Sequence, residues 1–195
     1  MNGLLTPVAV LLWRRLDQPG HDCCRLFRSP NGWRLVGTAI FQEAGQACNL
    51  AYEVVTDSMW CTHRAQISGF HGRKAIEIRI RRIRNIRSAD STRWRVGDEE
   101  HAMSANCLDL DLGFTPATNM IAIRRLRLKV GERGDAPAAW LTLPDLKLRT
   151  LPQTYTRSGK SDYRYEAPSE GYRGTLQVSR IGAVIKYPGL FSIVE

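Results

Sequence analysis

Hydrophobic and polar positions alternate along most of the chain. The clearest examples are residues 76–81, where Ile alternates with Glu and Arg, and residues 126–130, where Leu and Val alternate with Arg and Lys. Because neighbouring side chains of a strand point to opposite faces, both stretches predict strands with one apolar and one cationic face. Further β-rich runs lie at 33–41, 52–56, 64–68, 108–112, 139–142, 146–148, 163–166, 176–178 and 181–187. Their number, and the Gly, Pro, Asn and Asp between them, predict a mainly β, antiparallel domain.

One segment has helical spacing instead. Thr115 is a residue type suited to capping a helix, and Pro116 suits the first helical position. Residues 117, 120, 121 and 124 then recur at intervals of three and four, which predicts an α-helix of about three turns. Ile121 and Ile123 are also compatible with a strand. We expect a lone amphipathic helix in a β-rich chain to pack on the concave side of the sheet.

The length and hydropathy fit one globular domain. The chain has 195 residues and a mass of 22.0 kDa, and its mean hydropathy is −0.30. We therefore expect a single domain over residues 1–195, with a full core and no transmembrane segment.

The number and spacing of the cysteines indicate the redox conditions of the cellular compartment. There are five cysteines, an odd number, and Cys23 and Cys24 are adjacent in sequence. A reducing compartment is the simpler interpretation. The apolar stretch at 4–13 lacks a basic start and a cleavage site, so we predict a cytoplasmic protein.

The positive charge is concentrated in one segment. The chain has a net charge of +9, and the segment from Arg73 to Arg95 holds nine basic and two acidic residues. Arginines on one face of a strand repeat about every 7 Å, which suits the phosphates of RNA or an anionic membrane. Alternating cations also protect the edge strand of a sheet from aggregation. No nucleic-acid-binding motif accompanies the charge, which disfavours a nucleic-acid partner.

No motif for a metal, a cofactor or catalysis is complete. Asp109, Asp111 and Gly113 resemble the start of a calcium loop, but Met120 stands where the loop needs a glutamate. The His and Cys residues lack the spacing of a zinc site, and there is no nucleophile elbow or phosphate-binding loop. We expect no metal and no cofactor.

The stretch 107–153 carries a long family signature. It reads Asp109-Leu-Asp-Leu-Gly113-Phe-Thr-Pro-Ala-Thr-Asn119, then Ile123-Arg-Arg-Leu126, Ala138-Ala-Trp140 and Leu151-Pro-Gln153-x-Tyr155. Matches outside it are Trp13-Arg-Arg-Leu16, Trp33-x-Leu35-x-Gly37, Trp60, Arg64 and Tyr187-Pro-Gly189-Leu190. With these residues the chain resembles a bacterial glycolipid-binding family, long catalogued as a domain of unknown function.

The resemblance implies a spiral β-roll, in which a long antiparallel sheet is wrapped around a single α-helix. The family owes its name to likeness in shape to carriers of bacterial lipoproteins, and fold alone does not establish function. The resemblance implies no catalytic residues. The preferred hypothesis is a non-catalytic module that holds a lipid or glycolipid between the curved sheet and the helix.

Candidate ligand-binding residues follow from this hypothesis. Tryptophans would form the wall or rim of an apolar pocket, arginines would reach polar head groups, and the aspartates would bind the ligand or pair with the arginines. They are Trp13, Trp60, Trp94, Trp140, Arg124, Arg125, Asp109 and Asp111. Two alternatives remain: an enzyme acting on a hydrophobic or sugar-bearing substrate, and an electrostatic binder of RNA or an anionic membrane through the segment Lys74 to Arg95.

Overall fold

The computed structural model describes residues 6–83, 91–104 and 106–194. The strands are β1 (Ala9–Arg15), β2 (Gly20–Ser29), β3 (Gly32–Glu43), β4 (Gln46–Asp57), β5 (Thr62–His71), β6 (Lys74–Ile83), β7 (Ser91–Val96), β8 (Glu99–Ser104), β9 (Asp109–Leu112), β10 (Arg133–Asp135), β11 (Ala138–Leu141), β12 (Leu148–Leu151), β13 (Thr154–Arg157), β14 (Asp162–Ala167), β15 (Tyr172–Val178), β16 (Val184–Tyr187) and β17 (Phe191–Ile193). The α-helix α1 spans Asn119–Leu126, and short 3-10 helices lie at Pro116–Thr118 and Pro168–Glu170.

Fourteen of these strands form one sheet, in the order β10-β13-β14-β15-β16-β17-β1-β2-β3-β4-β5-β6-β7-β8. Neighbouring strands in it are antiparallel, and β1 pairs with β17, so the first and last strands meet in its middle. A separate three-stranded sheet has the order β12-β11-β9, with β9 parallel to β11.

The period-two pattern produces a sheet with one buried face. In β6, Ile76, Ile78 and Ile80 are buried, whereas Glu77 and Arg79 between them are exposed. Most buried apolar side chains of the strands belong to one hydrophobic cluster that also contains the buried apolar residues of α1. Burial of this shared apolar surface holds the curved sheet against the helix.

The helix begins as the sequence predicts. Pro116 opens the first 3-10 turn, and the Thr115 hydroxyl accepts a hydrogen bond from the backbone N–H of Ala117 at 3.0 Å. α1 follows directly with Met120 and Ile121 fully buried. The prediction of a mainly β fold with a long antiparallel sheet around a single helix is confirmed for the described residues.

One predicted strand is wrong and two are shorter than predicted. The strand predicted at 181–187 begins only at Val184, because a turn with Gly182 at a φ of 89° precedes it. Residues 126–130 do not form a strand, because Leu126 is the last residue of α1 and Arg127 has a left-handed φ of 50°. Leu126 and Leu128 both pack on Gly134, so their alternation reflects packing around the end of a helix. The predicted strand at 146–148 begins only at Leu148, because Leu146 has a left-handed φ of 57°.

The basic segment is not an edge strand, contrary to one expectation. β6 pairs with both β5 and β7, and the edge of the sheet on this side is β8. Arg64, Arg81 and Arg95 occupy directly paired positions of β5, β6 and β7. They form a cationic row on the exposed face of the sheet. Residues 84–90 of the basic segment lie outside the described residues.

Candidate functional site

Asp109 forms a buried ion pair. It lies on β9 and accepts two hydrogen bonds from Arg125 in the last turn of α1, Nε to Oδ1 at 2.7 Å and Nη2 to Oδ2 at 2.7 Å. Asp109 is 1% exposed. Burial raises the pKa of Asp109, and the hydrogen bond and charge of Arg125 oppose that rise. The two predicted site residues meet each other, and their polar atoms are used to join β9 to α1.

Asp111 has different surroundings, although it lies on the same face of β9. Its carboxyl has no hydrogen-bond partner among the described residues. Burial, with a further contribution from the charge of Asp109, raises the pKa of Asp111 to about 7. The side chain lines a pocket, so this carboxyl is reachable by a ligand and changes its charge near neutral pH.

That pocket, which we call the aromatic pocket, has a volume of about 270 Å³. It lies between the small sheet, the start of the helical segment and strands β14 to β17. Its aromatic walls are Trp140, Tyr165, Tyr172, Tyr187 and Phe191. The rings of Tyr172 and Tyr187 meet edge to face, with their centroids 5.1 Å apart, and the ring centroids of Tyr187 and Phe191 are 6.3 Å apart. These contacts fix the wall before any ligand enters.

Polar groups complete the aromatic pocket. Thr115 and Asn119 contribute from the beginning of the helical segment, and Glu170 comes from the second 3-10 helix. The Tyr172 hydroxyl donates a hydrogen bond to the Pro188 carbonyl at 2.9 Å, which orients its ring. The pocket thus combines aromatic faces with two carboxyl groups, an amide and a hydroxyl.

Gly113 of the family signature has a steric role in this pocket. A Cβ on Gly113 would lie 2.6 Å from Nε1 of Trp140, which is too close for any side chain. Trp140 is partly exposed, and its indole N–H has no hydrogen-bond partner among the described residues. Glycine at this position therefore lets the Trp140 ring reach the wall of the pocket.

A buried polar network lies beneath Thr115. Asp22 of β2 is 1% exposed and accepts hydrogen bonds from the hydroxyls of Tyr52, at 3.0 Å, and Thr115. Burial raises the pKa of Asp22 to about 7, although both hydrogen bonds act to lower it. A Cβ on Gly37 would lie 2.4 Å from the Tyr52 ring, so this glycine makes room for the network. The network anchors the start of the helix to the sheet.

Trp60 and Arg124 lie together at a second pocket, near the end of α1. The Arg124 guanidinium carbon is 5.5 Å from the centroid of the Trp60 ring. Trp60 also stacks on Trp33 at 4.9 Å. The structure therefore brings these two predicted site residues together, but away from Asp111 and Trp140.

Trp13 and Trp94 lie in the packed interior. Both are 0% exposed. The indole of Trp13 donates to the carbonyl of Val184 at 2.7 Å, and that of Trp94 donates to the carbonyl of Cys107 at 3.0 Å. Each ring therefore contributes core packing with its polar atom already satisfied.

Sequence reasoning did not select the tyrosines of the aromatic pocket. Tyr172 and Tyr187 lie on β15 and β16, far along the chain from the signature. Tyr187 does belong to the motif Tyr187-Pro-Gly189-Leu190 that carries the family resemblance, and this is the signal that could have indicated it.

Some classes of site have no counterpart among residues 6–83, 91–104 and 106–194. No three His, Cys, Asp or Glu side chains are close enough there to hold a metal ion. The five cysteines are free thiols. No helix in these ranges is long and apolar enough to cross a membrane.

Comparisons with known proteins identify the family. The solved structure of a DUF1089 family protein from Pseudomonas aeruginosa is similar, with a TM-score of 0.71 and 24% sequence identity over 98% of this chain and 96% of the other. That likeness bears on the fold. No curated protein matches the sequence. The sequence matches a family profile over residues 10–192, and the chain therefore belongs to the family described as "Putative glycolipid-binding".

Proposed function

We propose that the protein is a non-catalytic binding module for a sugar-bearing lipid, and that the aromatic pocket receives the sugar. One observation carries the proposal: aromatic walls and polar groups, among them the Asp111 carboxyl without a hydrogen-bond partner in the described residues, converge on one concave site beside the family signature. Binding pockets are typically lined by apolar and aromatic side chains with a few placed polar groups. The family to which the chain belongs supports a lipid ligand.

The chemistry of the pocket suits a sugar ring. A pyranose has apolar C–H faces, which pack on aromatic rings such as Trp140 and Tyr172, and a rim of hydroxyls that need hydrogen-bond partners. The carboxyl groups of Asp111 and Glu170 offer such partners. A purely hydrocarbon ligand would leave these polar groups desolvated and unpaired, which costs free energy.

The size of the pocket limits what enters it. Its volume of about 270 Å³ is at the small end of ligand pockets, which span roughly 300–1,000 Å³. The space beside α1 is filled by side chains such as Met120 and Ile121, both 0% exposed. We therefore place the head group at the N-terminal end of the helical segment, with the acyl chains leaving the pocket, and not along the helix as the sequence suggested.

The test uses n-octyl glucoside as the probe, below the concentration at which it forms micelles. Glucose and n-octanol, which represent its two halves, are titrated separately for comparison. Calorimetric titration should show saturable binding of octyl glucoside that is at least about tenfold tighter than either half. The variant Trp140→Leu should weaken it by about tenfold, because one well-packed aromatic contact contributes up to about 1.4 kcal/mol.

Trp33→Leu is the matched control, because Trp33 is a partly buried tryptophan outside the aromatic pocket. Equal binding by wild type and Trp140→Leu would refute the proposal. Native mass spectrometry of the protein purified from its own cells supplies the second readout, an added mass of a glycolipid.

An enzyme acting on a sugar-bearing substrate is the second candidate. It is favoured by Asp111, because a carboxyl with its pKa raised to about 7 is suited to general-acid catalysis. Glu170 lines the same pocket and supplies a second carboxyl group. Release of nitrophenol from nitrophenyl glycosides that is abolished by Asp111→Asn would establish the enzyme. Retained octyl glucoside binding without such turnover supports the binding module.

A further inference from the structure

The second pocket, which we call the cationic pocket, is larger and chemically different. Its volume is about 570 Å³. Of the residues that the structure describes, no Asp or Glu lines it and five basic side chains do: Arg124, Arg127, Arg157, Lys160 and Arg180. Like charges converging on one cavity repel one another, so the pocket is electrostatically favourable only for an anion.

The five cations come from three separate parts of the fold. Arg124 and Arg127 lie at the C-terminal end of α1, Arg157 and Lys160 lie at the turn between β13 and β14, and Arg180 lies in the turn after β15. None of the five forms an ion pair with a carboxylate in the part of the chain that the structure describes. The adjacent Arg125 does, with Asp109.

Stabilisation of the helix explains only part of this cluster. Cations near a helix C-terminus interact favourably with its dipole, and this accounts for Arg124. It does not account for Arg157, Lys160 and Arg180, which belong to other elements. Lys160 and Arg180 are exposed at the mouth, where they contribute little to packing.

The inner cations are held in place before a ligand binds. Arg157 donates to the carbonyls of Leu128 at 2.9 Å and Lys160 at 2.8 Å, and its guanidinium carbon lies 5.5 Å from the Tyr163 ring centroid. Its positive charge is therefore fixed at the wall while carbonyl groups satisfy its hydrogens. Fixed charges bind an anion at a lower entropic cost than mobile ones.

Arg124 is fixed as well, and one of its polar atoms lacks a partner. Its side chain lies over the Trp60 ring and passes Gly182, where a Cβ would lie 2.7 Å from Cδ of Arg124. The Nε atom of Arg124 is buried and has no hydrogen-bond partner in the ranges that the structure describes. A buried N–H without an acceptor is costly, so a ligand that brings an anionic acceptor to this guanidinium is favoured.

From these observations we infer that the cationic pocket is a binding site for a phosphate-bearing ligand. Four guanidinium groups and one ammonium exceed what a single carboxylate needs, and they match the charge and the several acceptor oxygens of a phosphoryl group. The volume also leaves room for the group that the phosphate is attached to. The inference does not rest on the proposed function, because the two pockets share no lining residue.

The test is calorimetric titration of the full chain with inorganic pyrophosphate. The variant pair Lys160→Gln with Arg180→Gln removes two exposed charges from the pocket without disturbing the core. We expect saturable binding by the wild type and at least about tenfold weaker binding by this pair. Arg124→Gln, with its melting temperature checked, should weaken binding similarly.

The matched control is Lys74→Gln with Arg81→Gln. It also removes one lysine and one arginine, both exposed: Lys74 is the first residue of β6, and Arg81 lies on the outer face of that strand. This pair should change the affinity less than about twofold, because neither residue lines the pocket and salt screens the effect of exposed charges outside it. Equal weakening by both pairs would overturn the inference, and so would a wild type that binds neither pyrophosphate nor vesicles containing phosphatidic acid.

Vesicles distinguish the source of the phosphate. Binding to phosphatidylcholine vesicles that contain phosphatidic acid, lost with the pocket pair and kept with the control pair, assigns the site to a phospholipid head group. Pyrophosphate binding without vesicle binding assigns it to a soluble phosphorylated ligand. Either result supports a phosphate site, and the absence of both refutes it.

Discussion

The two signature aspartates should respond to the same substitution in opposite directions. Asp109→Asn removes the negative partner of Arg125, whose guanidinium makes two hydrogen bonds of 2.7 Å to a carboxylate that is 1% exposed. Breaking a buried pair on one side leaves an uncompensated charge, which costs about 3–5 kcal/mol. For a chain of this size that corresponds to a melting temperature lower by roughly 6–20 °C.

Asp111→Asn should stabilise the protein at pH 8. The pKa of Asp111 is raised to about 7, so the folded state at pH 8 holds a desolvated carboxylate that the unfolded chain would solvate freely. The neutral amide removes this penalty, which is about 1.4 kcal/mol for every tenfold difference in proton affinity between the folded and unfolded carboxyl. Asp111→Asn, on the same strand, is therefore a matched control for Asp109→Asn.

Urea unfolding of the wild type, Asp109→Asn, Arg125→Met and the variant with both substitutions forms a double-mutant cycle. The double variant should be more stable than either single variant, because no charge is left stranded. A loss below about 1 kcal/mol for Asp109→Asn would place this pair among weak surface ion pairs and refute the reasoning. An equal loss for Asp111→Asn would refute it as well.

Three further predictions concern the buried network and the pH response. The free energy of unfolding should fall as the pH rises from about 4 to 7. The pKa values of Asp22 and Asp111 are about 7 in the folded state and near 3.9 in the unfolded chain, so the folded state binds more protons over this range. Urea titrations across this range should show the fall, and a rise in the free energy of unfolding would contradict it. Thr115→Val should cost about 1–3 kcal/mol in chemical unfolding, because it removes a donor to the buried carboxyl of Asp22 and the helix cap; an unchanged midpoint would contradict it. Gly37→Ala should lower the melting temperature through a clash with the Tyr52 ring that costs about 1–3 kcal/mol, and a neutral effect would show that the ring can move aside.

The parts of the fold that are written in local sequence patterns could be predicted. The alternation of Ile76, Ile78 and Ile80 specifies which face of β6 is buried, and Thr115 with Pro116 specifies where the helical segment begins. The prediction of a strand at residues 126–130 was wrong because five alternating positions are too few to distinguish a strand from the end of a helix. Their outcome depends on packing against Gly134, which is a tertiary contact.

The sites depend on contacts that no local pattern reveals. Trp13 and Trp94 were candidates because large aromatic rings often line pockets, yet backbone carbonyls accept from both indoles inside the core. Tyr172 and Tyr187 meet Asp111 only because the long sheet brings its last strands to the start of the helical segment. The cations of the second pocket likewise come from three parts of the chain, the end of α1 and two turns between strands.

The pairing of β1 with β17 has a consequence for how the chain folds. Strands β1 to β8 pair in sequence order, so this half of the sheet can form from local hairpins while synthesis continues. The other edge of β1 stays unpaired until β17 has been made. The acceptor of the Trp13 indole N–H, the carbonyl of Val184, likewise lies 171 residues later in the chain. Such non-local closure slows folding and leaves a strand edge open to other chains in the meantime. Substitutions in β17 should therefore raise aggregation during synthesis more than they lower the stability of the finished protein.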